Sequence, residues 1–375
     1  MKLTTLCFTV LLLIPLGACQ PNTQEAQNVP DAEIAPLSWL ELPGSPDRAK
    51  NKKIVLISGD EEYRSEEMLP QLAKILAEHH GFDCIVLFAQ DPARPGIVDP
   101  NYLYNIPGLE ALAKADLVVL FTRFRALPDE QMQHIQAYIQ AGKPIIGLRT
   151  ATHAFNFTDS TSRWYPWGNY HNDPESAWDG GFGRLVLGER WHTHHGYHKH
   201  QSTRGIIAAE HPITRNLDKT PIWGPTDVYG VRIPLPGDAL PLVLGQVLNR
   251  QGSFSENDVN FGLRPTDNEV ATVNPAAEEP YNPNDPPMPI AWTKSYQLPD
   301  GERGQSFTST IGSSTDFANE GVRRLLVNAV YYLLDLEVPQ QARVDLVGNY
   351  QPSAYSFHDD SYWDEKQLKI ADMNP

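Results

Sequence analysis

The stretch GERWHTHHGYHKHQS, residues 188–202, carries His192, His194, His195, His198 and His200, five of the chain's twelve histidines. On an extended segment, residues two apart share a face at about 6.5 to 7 Å. His192 with His194, or His198 with His200, would therefore converge on one divalent metal ion. A zinc-like site needs a third ligand, which His171 or Asp173 in GNYHNDPESAWDGG would supply, and Gly196 allows a turn between the two pairs. Without a metal, the same imidazoles can move protons near neutral pH or hydrogen-bond a sugar. A solvated strand rich in histidine is the third reading. Trp164, Trp167, Trp178 and Trp191 lie close by in sequence with Tyr165 and Tyr170. Aromatic faces beside polar donors suit sugar rings, so Trp178 and Trp191 are the substrate-stacking candidates, although tryptophan is more often core.

A second set of candidates follows from the elements that must hold them. KKIVLISG, FDCIVLFA, ADLVVLFT and PIIGLRT are short apolar runs, and EEMLPQLAKILAEHHG and PDEQMQHIQAYIQAGKP have helical spacing. Alternating strands and helices, with the strands apolar on both faces, predict a parallel sheet covered on two sides. Ligands of such sheets sit beyond the carboxyl ends of the strands. The first strand ends in Gly59-Asp60-Glu61-Glu62-Tyr63-Arg64, the third in Thr122-Arg123-Phe124-Arg125 and the fourth in Arg149-Thr150-Ala151-Thr152-His153. Glu61, Arg64, Arg123 and Arg149 are thus expected to bind substrate, while Asp60 and Ser65 are expected to cap the first helix. The turn after the fourth strand is where nucleophile-elbow enzymes place their attacking residue. No cysteine or serine follows it here, and Thr150 and Thr152 are weak nucleophiles without a base. His153 is the reactive candidate, paired as acid and base with His192 or His194.

The second half is less regular. HQSTRGIIAA, ALPLVLGQV, PIAWTKSY and GQSFTSTIG read as strands around the loop EEPYNPNDPPMP, and NEGVRRLLVNAVYYLLDL closes the domain as an amphipathic helix.

Residues 1–19 have a charged start, an apolar core and a small-residue exit, as in a secretory signal, and the run is too short for a membrane span. Its ending, Leu16-Gly17-Ala18-Cys19, resembles a bacterial lipobox. Lipidation of Cys19 would place the chain in the cell envelope, at the bacterial outer membrane or periplasmic face, attached to the membrane through its lipid anchor. Residues 20–51 read as a linker and 339–375 as a C-terminal extension. Cys84 is then the one cysteine left in the folded part, which excludes an internal disulfide and a dithiol redox role. A formal charge of -16 argues against nucleic acid and favours a neutral or cationic small molecule.

Taken together, KIVLISGDEEYR, ADLVVLFTRFRALPDEQMQHIQAYIQAGKPIIGLRTATHAF, WDGGFGRLVLG, EHPITRNL, PTDVYGVR, PIAWTKSY, GERGQSFTSTIG and NEGVRRLLVNAVYYLL resemble the ThuA-like family, named for trehalose utilisation, over about residues 52–338. The resemblance implies an α/β, flavodoxin-like fold of the class I glutamine amidotransferase-like superfamily: a mostly parallel central sheet with helices on both faces, and no glutaminase nucleophile. It also implies a carbohydrate partner and a role in disaccharide uptake or breakdown through 3-keto-sugars, with hydrolase, lyase or isomerase chemistry. His211 in EHPIT belongs to the family pattern. Relatives often carry Gly-His where this chain has Gly312-Ser313-Ser314, a departure that favours the alternative of a non-catalytic carbohydrate-binding lipoprotein.

Overall fold

Ten strands share one sheet: β1 (Trp39–Leu42), β2 (Lys53–Gly59), β3 (Asp83–Phe88), β4 (Leu117–Thr122), β5 (Ile145–Leu148), β6 (Gln201–Ile207), β7 (Trp223–Gly224), β8 (Leu240–Asn249), β9 (Met288–Gln297) and β10 (Arg303–Ser309). The structure is a computed structural model that describes Met1 and residues 37–373. The expected signal segment beyond Met1, Cys19 and the first part of the expected linker lie outside the described residues.

The spatial order is β1-β3-β2-β4-β5-β10-β9-β8-β6-β7. β3, β2, β4 and β5 run parallel to one another, as the sequence led us to expect, and β10 lies parallel to β5. The other pairings, β1 with β3 and the succession β10, β9, β8, β6, β7, are antiparallel. The sheet is therefore mixed, which corrects the expectation of a mostly parallel one. The physical reason lies in the connections. Up to β5 the strands alternate with helices long enough to cross over. The short loop between β9 and β10 permits only a hairpin. Burial follows the same division: β4 is buried at every position, whereas β8 mixes buried and half-buried positions behind an exposed Leu240.

The helices α1 (Ser65–His80), α2 (Asp129–Gln140), α3 (Glu320–Leu333) and α4 (Asp360–Lys366) complete the layers. Successive residues of β2 point to opposite faces. Ile54 and Leu56 join Met68 and Leu72 of α1 and Leu326 and Val330 of α3 in one core, while Val55 and Ile57 join Met132, Ile135 and Ile139 of α2 in the other. Each such fully buried side chain contributes about 1.5 to 3 kcal/mol. Gly81 ends α1 at φ 75°, and a Cβ there would lie 2.1 Å from the Arg48 carbonyl oxygen.

The structure adds detail at both ends of the domain. The expected linker contains β1, whose Leu40 and Leu42 are buried. Four residues are too few to show a clear alternation, which is why SWLELPG reads as polar linker. The C-terminal extension is an ordered strap across the carboxyl ends of the parallel strands. Arg323 and Arg324 of α3 donate to the carbonyls of Val344 and Ala342. Ser356 N then donates to the Glu62 carbonyl, Asn101 donates to the His358 carbonyl, and Val98 N donates to the Leu368 carbonyl.

Candidate functional site

Arg64, Phe124 and Arg149, just beyond the ends of β2, β4 and β5, adopt left-handed backbone at φ 63°, 48° and 43°. Non-glycine residues held there are strained, and such strain concentrates at functional sites. Arg149 occupies the turn where an elbow enzyme would hold its nucleophile. Its guanidinium is fully buried and donates to the Asp227 carbonyl at 2.8 Å, Asp227 Oδ1 at 3.0 Å, the Thr310 carbonyl at 2.6 Å and Tyr63 Oη at 3.2 Å. The rings of Tyr63 and Tyr229 cover it. Arg149 thus fixes Asp227 rather than orienting oxygens of a ligand, which corrects its expected role.

Asp227, itself buried, is the hub. Its carboxylate accepts from His194 Nδ1 at 2.8 Å and from His198 Nδ1 at 3.0 Å. Burial alone would raise its pKa, but His194, His198 and Arg149 outweigh burial and hold it well below the carboxylate range. An ionised carboxylate only accepts hydrogen bonds, so both imidazoles carry their proton on Nδ1 and leave Nε2 as the second nitrogen. Burial works against a charge on His194, yet Asp227 more than offsets this and its pKa rises. His198 Nε2 lies 3.5 Å from Glu62 Oε1. Trp191, His192, His194, His198 and Tyr281 line a cleft of ≈ 390 Å³.

The histidine segment is not a strand. His194 forms one bridge with Tyr229, and the N–H groups of His195 and Gly196 both donate to the Val228 carbonyl. The chain turns there, so the two-residue spacing loses its meaning. The four-residue spacing instead brings His194 and His198 together, with ring centroids 4.7 Å apart. His195 turns away to the Pro283 carbonyl, and His200 is stacked between Tyr197 and Phe254. Among the described residues, one group offers three metal-capable side chains: His194, His198 and Asp227, with ligand atoms within 4.8 Å of one another. His171 and His192 are outside that group. His171 packs against Tyr165, and His192 is exposed beside Gly230.

His153 is buried among Phe124 (centroids 4.9 Å), Trp191 (5.2 Å) and Tyr229 (6.2 Å), with Thr152 Oγ1 3.2 Å from its Nδ1. Burial, then the charges of Arg123, Arg149 and His194, hold its pKa well below that of an ordinary histidine, so it is neutral. Trp191 and Tyr229 also touch His194, at 5.8 Å and 5.5 Å. Both expected proton-transfer residues therefore border one aromatic cage.

The remaining candidates divide. Glu61 is clamped by Arg123 and Arg125. Arg123 lies over the rings of Phe124 and Phe357 at the mouth of the site. Arg64 is buried against Glu66, Glu67 and the Trp363 ring, under the strap, so its expected contact with ligand is corrected. Trp178 stacks on Trp167 at 4.6 Å in the core cluster of the opposite face and belongs to packing, not to the cleft. Asp60 does not cap α1, whose N-cap position is Arg64 without a side-chain cap. Instead Asp60 accepts from the N–H groups of Glu62 and Tyr63 and from Thr150 Oγ1 at 2.6 Å; burial and then Glu61 push its pKa up to about 7.

Sequence reasoning missed Asp227. The motif PTDVYGVR was noticed, and a lone carboxylate in its apolar run was the available signal. It also missed how residue 313 acts. Ser313 N donates to Asp316 Oδ2, and Asp316 accepts from Thr226 N and Oγ1. The serine segment thereby braces the residue next to Asp227. His211 accepts from Ile213 N and packs on Tyr332, a capping role.

No sequence among curated proteins matches the chain. A ThuA-like protein of Bacteroides uniformis shares 14% identity at a TM-score of 0.41, covering 78% of this chain and 94% of its own. One of Parabacteroides merdae shares 15% at 0.40, covering 81% and 97%. A cytoplasmic protein of Salmonella typhimurium shares 13% at 0.36, covering 75% and 98%. The model of the ThuA family, described as trehalose utilisation, matches residues 53–333, and the chain belongs to that family.

Proposed function

We propose that this chain is an enzyme of carbohydrate utilisation in which His194 transfers a proton to and from the substrate, on a glycoside or 3-keto-sugar. The observation that carries the reading is the buried carboxylate of Asp227, fixed by Arg149 and holding the Nδ1 proton of His194. A histidine held in this way exchanges protons through Nε2, and Asp227 raises its pKa by favouring the protonated form. His153, which is neutral, is suited to hydrogen-bond a carbonyl or hydroxyl without competing for the charge. The family's link to trehalose and the aromatic walls of the site support a sugar as substrate. Lyase and isomerase chemistry would move a proton beside the carbonyl of a keto-sugar, and a hydrolase would protonate the departing oxygen and take a proton from water.

A second reading has its own observation. His194, His198 and Asp227 can supply three ligand atoms to a divalent ion, which would polarise the same carbonyl. The sequence Leu16-Gly17-Ala18-Cys19 supports export and a lipid anchor in the cell envelope. Among the described residues no helix is long and apolar enough to cross a membrane.

The test is turnover of trehalose and its 3-keto form by wild type, His194→Ala and His198→Ala, with metal content measured by mass spectrometry on untagged protein. His194→Ala should lose about 10²- to 10⁴-fold in kcat. Full turnover by that variant would eliminate His194 as the proton carrier. Near-stoichiometric metal lost in His198→Ala would select the metal reading, and saturable sugar binding without product would select a binding protein.

A further inference from the structure

Two large aromatic side chains linked through Phe124 and Arg123 stay open to solvent, Tyr170 at 62% and Phe357 at 52% exposure. Between them runs a continuous stack. The Arg123 guanidinium lies 4.8 Å from the Phe357 ring and 4.7 Å from the Phe124 ring, and Tyr170 stacks on Phe124 at 5.7 Å and 23°. The inner end of the stack is the site itself, since Phe124 lies 4.9 Å from His153. Glu61 grips Arg123 from behind and fixes the guanidinium plane. Phe357 comes from the strap, beyond the residues that the family model matches. Its position is set by neighbours that cannot shift easily: Tyr355 is fully buried against Tyr63 and His198, and Ser356 N donates to the Glu62 carbonyl.

We propose that Phe357, Arg123, Phe124 and Tyr170 form a stacking subsite for a pyranose ring, through which the strap helps determine which sugar reaches His153 and His194. The class of ligand follows from the surface chemistry. A pyranose presents an apolar C–H face to an aromatic ring, while its hydroxyls can accept from the guanidinium edge of Arg123 and donate to Glu61 and Glu62. A purely apolar ligand would make no use of the polar edge that Arg123, Glu61 and Glu62 present, and an anionic one would meet the two carboxylates. The subsite rests on the carbohydrate reading above.

The experiment measures binding of trehalose, maltose, cellobiose, sucrose and 3-keto-trehalose by isothermal titration calorimetry. It compares wild type, Phe357→Ala and Tyr170→Ala, each checked for an unchanged melting temperature. Both aromatic side chains are largely exposed, so folding should be unaffected. Each aromatic deletion is expected to weaken the best-bound sugar by about threefold to tenfold. A sugar bound equally by wild type, Phe357→Ala and Tyr170→Ala would overturn the subsite and leave the carbohydrate reading standing. Absence of binding of every sugar by wild type would overturn both.

Discussion

Replacing Asp227 by asparagine tests the organisation of the site as a charge problem. Asp227 and Arg149 are both fully buried, 3.0 Å apart. Neutralising the carboxylate strands the guanidinium in a place where water cannot reach it, which typically costs about 3 to 5 kcal/mol. With a melting entropy of roughly 2.1 cal/mol/K per residue, a domain of residues 37–373 should lose about 4 to 7 °C of melting temperature. The new amide also donates where the carboxylate accepted, so one of His194 and His198 loses its Nδ1 partner and must change tautomer. Burial then acts on His194 with less opposition, and its pKa should fall. The sign for stability follows from the folded value being raised. In wild type the His194–Asp227 contribution is fully present below the unfolded histidine value of about 6.5 and is lost as pH rises through the folded value. The melting gap between wild type and Asp227→Asn should therefore be widest near pH 6 and narrow toward alkaline pH. It should not close, because Arg149 stays charged. Calorimetry across pH, with NMR titration of the His194 ring, reads both effects. An Asp227→Asn protein melting within about 1 °C of wild type, with the His194 titration unmoved, would refute the assignment of Asp227 as the hub.

Two further outcomes follow from neighbouring groups. Asp60 carries its proton up to about pH 7 in the folded chain, against 3.8 for an ordinary aspartate, so about 4 kcal/mol of stability should disappear as pH rises across that interval. Asp60→Asn, which can accept from Glu62 and Tyr63 and donate to Thr150, should flatten the melting temperature between pH 4 and 7; an unchanged slope in calorimetry would contradict it. Gly224→Ala would place a Cβ 2.1 Å from Asp316 Oδ1, displacing the carboxylate that holds Thr226 beside Asp227. About 1 to 3 kcal/mol of stability should be lost, and a wild-type denaturation midpoint in urea would show that the brace yields freely.

Where the chain follows a simple period, the fold was legible. The apolar runs of β2 to β5, Gly81 and Gly142 after their helices and the closing helix α3 all follow from residue types. The antiparallel half was harder, because a hairpin loop and the end of helix alternation, not the strand residues, decide direction. At the site, the strand ends were found because their place in a parallel sheet is fixed by topology. Their roles were not, since Arg64 and Arg149 look alike in sequence as exposed cations and prove to be buried partners of Glu66 and Asp227. The histidine segment misled for a local reason: two-residue spacing is informative only on a strand, and the turn at Gly196 converts the useful interval to four.

The strained turn at Arg149 also bears on what this scaffold can become. In an elbow enzyme the corresponding turn presents a nucleophile; here it drives a permanent cation inward, and His194 and His198 hang from the anion that this cation captures. Installing serine or cysteine at 149 would therefore do more than add a nucleophile. It would remove the counter-ion of Asp227, release the grip on His194 and His198, and dismantle the histidine cluster in the act of introducing the nucleophile. The two designs are mutually exclusive occupants of one turn, and changing either residue alone strands the buried charge of the other, so a passage between them changes 149 and 227 together.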